Sequence, residues 1–404
     1  MNIGIVTTWF ERGAAYVSKQ FEDVLRKDHN VFIYARAGEK YAKGDPNWDK
    51  ENVYWSKKYN GIITTYIYKK EFKAWIKKNK IELILFNEQH YFEPVLWAKD
   101  MRVKTVAYID YYTELSIPLF SIYDAVICNT RRHYSAFEEH HNAIYLPWGT
   151  DVNLYKPANN NGDLVEKDVV TFFTSSGMDP IRKGTDKFLR ALSMCKCLDN
   201  IKAIVHTQVS LEAHCPDLVG IIKNLKSKGV LEVVEGTVHA PGLYYRGDVY
   251  VYPSVLDGLG LTVAEAASSG LACIVSDNPP MNEFITPSFG DVIPISRFYS
   301  RSDGYYWPMC RCDEGSLSEL IDKYASDSFG VISRKQYARK YALEHLSFEK
   351  NAKPLGHIVT AIAYREVDDN TRRKVYAFDH RGYKKIGHLL NKLHLNWILA
   401  KRRN

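Results

Sequence analysis

The fold of this 404-residue chain is decided by residues 253–266, PSVLDGLGLTVAEA. The residues just before, Val249–Tyr252, alternate β-branched and aromatic side chains, which predicts a buried strand. The residues from Thr262 to Ser269 are rich in alanine and contain no breaker, which predicts a helix that Gly270 ends. A strand, a glycine loop and a helix N-terminus in this order form an anion site, most naturally for a phosphate, because free N–H groups and the helix dipole face the loop.

Two carboxylates flank this loop, Asp257 before it and Glu265 in the predicted helix. An acid beside a phosphate is repelled unless it bonds hydroxyl groups, so the pair indicates a sugar nucleotide. The pattern Pro-Ser-x-x-(Asp/Glu)-Gly-x-Gly-Leu-x-x-x-Glu-Ala, followed by Glu283, resembles the donor signature of the family-4 retaining glycosyltransferases. That family also has two acids eight positions apart, with Glu more common at the first. The structural alternative is an ordinary βα turn with solvated acids.

The resemblance implies an α/β protein of the GT-B fold, in which two Rossmann-like doubly wound domains face a central cleft and a C-terminal helix crosses back to the first domain. It implies three catalytic residues: Glu265 on the nucleotide ribose, Asp257 on the hexose hydroxyls and Lys183 on the diphosphate. It also places the diphosphate on backbone N–H groups of Gly258, Leu259, Gly260 and Leu261. The leaving phosphate itself then deprotonates the acceptor, so no protein base is required.

A second donor motif follows the strand predicted at Val169–Phe173. The family has Gly-Arg-x-x-x-x-Lys-Gly here, and Gly177 and Lys183 fit it, whereas Met178 stands in place of the expected arginine. Arg182 is the candidate to supply the missing charge. The resemblance also places the nucleotide base near Val238. It places Gly13, in the loop after the first strand, against the donor phosphates. A solvated loop lysine and a plain turn glycine are the structural alternatives for Lys183 and Gly13.

Acceptor-side candidates follow two further predicted strands. Glu88 and His90 come after the strand Glu82–Phe86, and Asp110 comes after the strand Lys104–Tyr108. Ligands of doubly wound sheets bind at the carboxyl ends of strands. The family often carries a histidine near Asp110, and this sequence does not. A satisfied structural histidine is the alternative for His90.

The resemblance and the polar linker after Pro157 divide the chain into an acceptor domain at 1–157, a donor domain at 158–345, a crossover helix at 346–363 and a basic tail at 364–404. The net charge is +7, and residues 365–404 carry all of it, with 11 Lys or Arg and 4 Asp or Glu. Aromatic and leucine residues alternate with these cations, which is typical of a helix on an anionic membrane surface. The lysine-rich stretch 66–80 has a similar pattern, and a surface helix packed on the core is its alternative. For the tail, the alternatives are a helix docked on the body of the protein and nucleic-acid binding, but no nucleic-acid-binding fold signature accompanies the charge.

The seven cysteines include no zinc-binding spacing, so we expect reduced thiols and no metal site. No Asp-x-Asp motif occurs, which predicts an enzyme independent of divalent metal and of any cofactor besides its co-substrate. With no membrane-spanning run and no signal peptide, we expect a cytoplasmic protein on the inner face of the plasma membrane. The predicted partners are a UDP- or GDP-sugar and a glycan or lipid-linked acceptor of bacterial surface polysaccharide. A nucleotide-sugar epimerase or hydrolase, or a catalytically silent scaffold, are the alternatives.

Overall fold

A computed structural model describes residues 1–36, 42–109, 111–158 and 168–395. They form two compact units. Unit 1 consists of the described parts of Met1–Asn129, His133–Leu146 and Ala352–Asn404, and unit 2 of Thr130–Arg132 and the described part of Pro147–Asn351.

Unit 1 is built on a seven-stranded parallel sheet with the order β3-β2-β1-β4-β5-β6-β7. The strands are β1 (Asn2–Thr7), β2 (Asn30–Ala35), β3 (Val53–Trp55), β4 (Leu83–Asn87), β5 (Lys104–Tyr108), β6 (Ala125–Cys128) and β7 (Ala143–Tyr145). The central strands are mostly apolar and buried because helices cover both faces of a doubly wound sheet. The strand order reverses between β1 and β4, which pair directly.

The helices of unit 1 come from both ends of the chain. They are α1 (Gly13–Leu25), α2 (Lys69–Lys78), α3 (Glu93–Lys99), α12 (Leu355–Ala361), α13 (Asp369–Asp379) and α14 (Tyr383–Lys392), while α4 (Arg131–Ala136) begins in unit 2 and ends in unit 1. The return of the C-terminal segment is held by buried bonds: Asp124 accepts from the backbone N–H of Arg365 at 2.7 Å and from Lys99 at 2.5 Å.

Unit 2 contains a six-stranded parallel sheet with the order β10-β9-β8-β11-β12-β13 and a separate antiparallel pair, β14-β15. Its strands are β8 (Val170–Gly177), β9 (Ile201–Thr207), β10 (Leu231–Glu235), β11 (Val249–Tyr252), β12 (Ala272–Ser276), β13 (Gly290–Ile293), β14 (Ile295–Tyr299) and β15 (Met309–Cys312). Its helices are α5 (Thr185–Met194), α6 (Leu211–His214), α7 (Val219–Ser227), α8 (Leu261–Ser268), α9 (Glu314–Ala325), α10 (Ser328–His345) and α11 (Phe348–Asn351). The order 3-2-1-4-5-6 within this sheet is that of a Rossmann fold.

The sequence predictions of strands agree closely with these bounds, and the predicted α/β class with two Rossmann-like sheets is confirmed. The crossover helix expected at 346–363 is divided at Pro354 into two short helices, α11 and α12, and a proline at that position in the sequence itself predicts such a break. Pro354 stands at the N-cap of α12, where its missing N–H is tolerated, and it separates the two helices as its ring requires.

The lysine-rich stretch 66–80 forms α2, whose apolar side packs into unit 1. Phe72, Trp75 and Ile76 are at most 3% exposed, so these side chains are not available to a membrane. The lysines take the solvent side, as the alternative of a surface helix packed on the core requires. None of the helices within the described ranges combines the length and apolarity needed to cross a bilayer.

Candidate active site

Two loops of unit 2 lie at the point where its strand order reverses. One loop, residues 178–184, follows β8, and the other, residues 253–260, follows β11; these two strands are neighbours in the sheet. In an open parallel sheet, ligands bind at the carboxyl ends of the strands on either side of such a reversal. The two donor motifs expected from the sequence therefore share this edge.

Short contacts hold the two loops together. The carbonyl oxygen of Arg182 accepts from the backbone N–H of Val255 at 2.9 Å and from the Ser254 hydroxyl at 3.2 Å. Gly184 has a left-handed φ of +73° and begins α5 as its N-cap. A Cβ added there would stand 1.9 Å from the carbonyl oxygen of Pro253, so the close approach of the loops requires glycine.

Lys183 and Asp257 form the polar centre of this edge. Lys183 Nζ lies 2.6 Å from Asp257 Oδ2, and the two side chains are only 14% and 16% exposed. The hydroxyl of Tyr252 donates to the same carboxylate oxygen and is also contacted by Lys183 Nζ. Burial on its own would raise the pKa of Asp257, but the charges of Lys183 and Arg182 outweigh it and hold this pKa well below its usual range. Burial lowers the pKa of Lys183, and Asp257 opposes that shift.

Arg182 supplies a second cation beside the same carboxylate. Its guanidinium lies 3.9 Å from Asp257 Oδ2 and donates to the carbonyl oxygen of Leu256 at 3.0 Å. Met178, at the position where the family has arginine, is 74% exposed and contributes no charge. Arg182 and Lys183 thus provide two cations at this site, although Met178 stands where the resembled family has an arginine.

Glu265 projects from α8 into a cluster of tyrosines. Its carboxylate accepts from the Tyr244 hydroxyl at 2.6 Å and also from Tyr155. Burial raises the pKa of Glu265, and these two hydrogen bonds together with the charge of Lys183 counteract the rise. A partly buried carboxylate that accepts two hydroxyl groups in this way can also accept hydroxyl groups of a ligand.

The start of α8 faces the same edge. Gly260 is its N-cap with φ +75°, and within the described residues no side chain caps the helix there. Gly258 and Leu259 complete the loop, and Leu261 is the first helical residue. Uncapped N–H groups and the positive end of the helix dipole stabilise an anion at such a terminus.

Further residues at this edge have no clear signal in the sequence. Arg132, in the part of α4 that belongs to unit 2, donates to the carbonyl oxygen of Asp257 at 2.5 Å and contacts that of Pro279. Glu283 accepts the backbone N–H groups of Arg131 and Arg132 at 2.6 and 3.0 Å. Glu283 belongs to the family pattern, but its partners lie about 150 positions away, and nothing local predicts them.

The two remaining donor candidates, Gly177 and Val238, lie at or after the ends of β8 and β10 in the same sheet. Gly177 ends β8 with φ +56° and open space around it. Val238 is 37% exposed and lies in the turn after β10, where Gly236 N–H donates to the carbonyl oxygen of Thr207 on β9.

The candidates in unit 1 cluster around its own reversal point. Gly13 begins α1 after β1, and Glu88 follows β4 with a strained φ of +51°. His90 is mostly buried, meets the Tyr111 ring edge-on at 5.2 Å, and has its pKa lowered to about 3 by burial and by Arg36 and Lys384. Asp110 lies outside the described residues.

A buried cation, which the sequence analysis missed, lies at the same point of unit 1. Arg36 is 3% exposed and donates to the carbonyl oxygen of Asn87 at 2.5 Å and to the Thr8 hydroxyl at 3.4 Å. It therefore links the ends of β1, β2 and β4. A lone arginine after a predicted strand carries no pattern from which this position could be inferred.

A comparison with protein families finds a match within unit 2. Residues 169–294 match the model of the family described as glycosyl transferases group 1. This segment contains both loops described above, with Lys183, Asp257 and Glu265.

Relatives of the whole chain are more distant. The chain is 25% identical over 250 residues to the lipopolysaccharide core biosynthesis mannosyltransferase LpcC of Rhizobium leguminosarum bv. viciae, a match that covers 59% of this chain and 65% of that protein. The match thus spans a little under two thirds of the relative.

Solved structures share the fold. A glycosyltransferase from Rickettsia africae ESF-5 superposes with a TM-score of 0.72 at 14% identity, covering 90% of this chain and 99% of that one. HepE of Anabaena in complex with UDP gives 0.69 at 14% identity, covering 89% and 99%. The lipopolysaccharide glycosyltransferase WaaG gives 0.60 at 14% identity, covering 88% and 99%. The fold is GT-B, as the sequence resemblance implies.

Proposed function

We propose that this protein is a retaining glycosyltransferase that moves a sugar from a nucleoside-diphosphate sugar to a hydroxyl group of a glycan or lipid-linked glycan. One observation carries the proposal: Lys183, Asp257 and the N-terminus of α8 meet at the strand reversal of unit 2, inside the segment that matches the glycosyl transferases group 1 family. A cation, an uncapped helix terminus and a carboxylate are the groups needed for a diphosphate and an adjoining sugar.

In this mechanism the charge of the leaving diphosphate is stabilised electrostatically. Lys183, Arg182 and the N–H groups of 258–261 face the phosphates, and preorganised donors aimed at developing charge are usually the largest catalytic contribution. Asp257 and Glu265 bind hydroxyls of the hexose and the ribose. The leaving phosphate accepts the proton of the attacking hydroxyl on the same face, which gives retention without a protein base.

Donor chemistry is proposed from the relatives and from the sequence together. HepE has been crystallised with UDP-glucose, which makes a UDP-sugar the first donor to test. We propose independence of divalent metal in catalysis because the chain has no Asp-x-Asp motif. Manganese-dependent transfer would overturn that part.

The acceptor side is proposed to lie in unit 1, with Glu88 and His90 near the end of β4. LpcC and WaaG are lipopolysaccharide enzymes, which supports a lipid-linked bacterial surface glycan as acceptor.

We also propose that the C-terminal segment 364–404 contacts the inner face of the plasma membrane. Tyr383, Ile386, Leu389 and Leu393 lie on one side of α14 at spacings of three to four residues, and each is at least 53% exposed. The exposed Lys385 and Lys392 belong to the same helix. An exposed apolar stripe beside cations suits an anionic lipid surface.

The function is tested by a donor screen followed by a product assay. Wild-type protein and Glu265→Ala are melted with UDP, GDP and ADP sugars, with and without EDTA, because a ligand that binds the folded state raises the Tm. We expect one nucleotide class to raise the Tm in EDTA and the effect to be lost in Glu265→Ala.

Product analysis then separates the alternatives. Release of nucleotide and free sugar at the same rate without acceptor would identify a hydrolase, and a changed sugar on the same nucleotide an epimerase. No Tm shift with any nucleotide would indicate a silent scaffold.

Membrane association is tested by vesicle sedimentation. Wild type is expected to sediment with vesicles containing phosphatidylglycerol and to remain in solution with phosphatidylcholine alone, while Ile386→Ser with Leu389→Ser loses the binding. Equal sedimentation of the double variant would contradict the role of α14.

A further inference from the structure

Two histidines and a glutamate in unit 1 converge around the turn between α13 and α14. Glu93 begins α3, His380 follows α13, and His388 lies in α14. One potential metal-ligating atom from each of the three lies within 4.8 Å of the others. His380 Nε2 is 2.7 Å from Glu93 Oε1, and the two imidazole rings stack at 3.6 Å with an interplanar angle of 9°.

We propose that Glu93, His380 and His388 bind a divalent transition-metal ion, zinc by their chemistry, which fastens α13 and α14 to α3. Imidazole nitrogens and a carboxylate oxygen are ligands that Zn²⁺ prefers, and three of them leave a fourth position for water. This inference does not depend on the proposed glycosyl transfer.

The stacked rings bring their nitrogens close together. One nitrogen of His380 and one of His388 lie within 4.8 Å of each other and of a carboxylate oxygen of Glu93, so a single ion can contact all three. His388 Nε2 lies 3.2 Å from the carbonyl oxygen of Asp379. Because a carbonyl only accepts, Nε2 carries the proton and Nδ1 is the nitrogen with the free pair.

Groups around the three ligands hold them in place, as outer partners do in metal sites. The Tyr91 hydroxyl bonds the Glu93 carboxylate, which is only 12% exposed. Asp379 Oδ2 accepts the backbone N–H groups of Phe92 and Glu93 at 2.8 and 2.9 Å, which fixes the end of α13 against the start of α3. The His380 side chain is 42% exposed, so the site is open to an ion from solvent.

The sequence analysis expects no metal site, so this proposal departs from that expectation. The expected independence of catalysis from divalent metal is a separate prediction. The sequence gives no signal for the cluster, because Glu93 is 287 positions from His380 and the two histidines, eight positions apart, match no zinc-binding spacing.

The test uses the full-length protein, stripped with EDTA and dialysed. Zn²⁺ is titrated by calorimetry, and thermal melts are recorded with Zn²⁺, Co²⁺ or Mg²⁺. We expect zinc to bind once with a Kd on the order of 1 μM or tighter, and to raise the Tm by several degrees at 100-fold excess over that Kd. Mg²⁺, which prefers octahedral oxygen ligands, leaves the Tm unchanged.

Two variants and one matched control locate the ion. His380→Ala and Glu93→Gln should each weaken zinc binding at least tenfold, and His380 is exposed enough for its variant to fold. His141→Ala is the control, because His140 and His141 form another close histidine pair of unit 1, with ring centroids 4.1 Å apart. It should bind zinc like wild type.

Co²⁺ provides a spectroscopic measurement that does not rely on any variant. Bound cobalt should give the visible absorption of a four-coordinate nitrogen and oxygen site, and zinc should displace it. Failure of the wild type to bind zinc, equal binding by His380→Ala, or equal loss in His141→Ala would each show the proposal to be wrong.

Discussion

Replacing Asp257 with asparagine should separate the stability of the donor loop from its affinity for phosphate. In the structure this carboxylate accepts from Lys183 and Tyr252, and asparagine removes the charge at nearly constant size. Removing one partner of a buried ion pair costs about 3–5 kcal/mol. Because both side chains keep some contact with solvent, 14% and 16%, we expect a smaller loss of about 2 kcal/mol. At the size of unit 2 this lowers the Tm by about 5 °C.

Binding of a free nucleoside diphosphate should change in the opposite direction. A phosphate beside Lys183 is repelled by Asp257, and two unit charges about 6 Å apart interact by about 3 kcal/mol at an effective dielectric constant of about 20. Allowing for screening, Asp257→Asn should bind UDP or GDP about tenfold more tightly. Sugar transfer should fall by about 10- to 100-fold, because the hexose loses a charged hydrogen-bond acceptor.

Calorimetry with the nucleoside diphosphate, thermal melting without ligand and initial transfer rates measure the three effects. Asp179→Asn is the matched control: it removes the same charge from the same loop, where Asp179 is 54% exposed and 3.7 Å from Arg182. If Asp257→Asn binds the diphosphate more weakly than wild type, the carboxylate organises Lys183 for the phosphate and the charge argument is refuted. An equal gain in diphosphate affinity in Asp179→Asn would show that the effect depends on net charge alone and not on the position of Asp257.

Three further predictions address other parts of the molecule. Glu265→Gln keeps the size of the side chain but loses its charge, so nucleotide affinity measured by calorimetry should fall about 10- to 100-fold; unchanged affinity would remove Glu265 from the ribose site. Gly184→Ala should lower the Tm far more than Gly177→Ala, since both have positive φ but only Gly184 faces a backbone carbonyl; equal losses would contradict the close approach of the two loops. His90 has its pKa lowered to about 3, so the unfolded chain takes up a proton near pH 6.5 and the folded chain does not. Stability from His90 is therefore present above pH 6.5 and lost as the pH falls, by about 1.4 kcal/mol per pH unit, and urea unfolding of His90→Asn should show a shallower decline between pH 6 and 4; identical slopes would refute the assignment.

The local part of the architecture could be predicted because each strand carries its own signal. Val249–Tyr252 and Lys104–Tyr108 have the same bounds in the sequence analysis and in the structure. Buried parallel strands are short apolar runs between breakers, and such a run needs no information from elsewhere in the chain.

The partners of the site residues could not be predicted, because they depend on contacts far apart in sequence. Tyr155 and Tyr244 reach Glu265 from 110 and 21 positions away, and Arg132 reaches Asp257 across 125. A single sequence carries no local sign of such pairs. The family pattern supplied Asp257 and Glu265 themselves, but not the hydrogen bonds that set their charge states.

Burial decided one question that periodicity left open. The stretch 66–80 and the helix α14 both place aromatic or aliphatic residues on one side and lysines on the other. In α2 that apolar side lies in the core, whereas in α14 much of it is exposed. The same sequence periodicity therefore occurs on a buried helix face in α2 and on an exposed one in α14, because the residues that cover an apolar face come from elsewhere in the chain.

The return of residues after Ala352 to unit 1 affects the order in which the protein is made. The ribosome completes the continuous stretch 147–351 of unit 2 before it synthesises Asp379, whose carboxylate holds the start of α3. Arg365, which bonds buried Asp124, also emerges late. During synthesis, the N-terminal part of unit 1 therefore keeps some of its surface uncovered until residues after Ala352 are made. Unit 2 can fold before that point. Nascent chains stalled once residue 351 has left the ribosome should accordingly show protection of unit 2 from protease before that of unit 1.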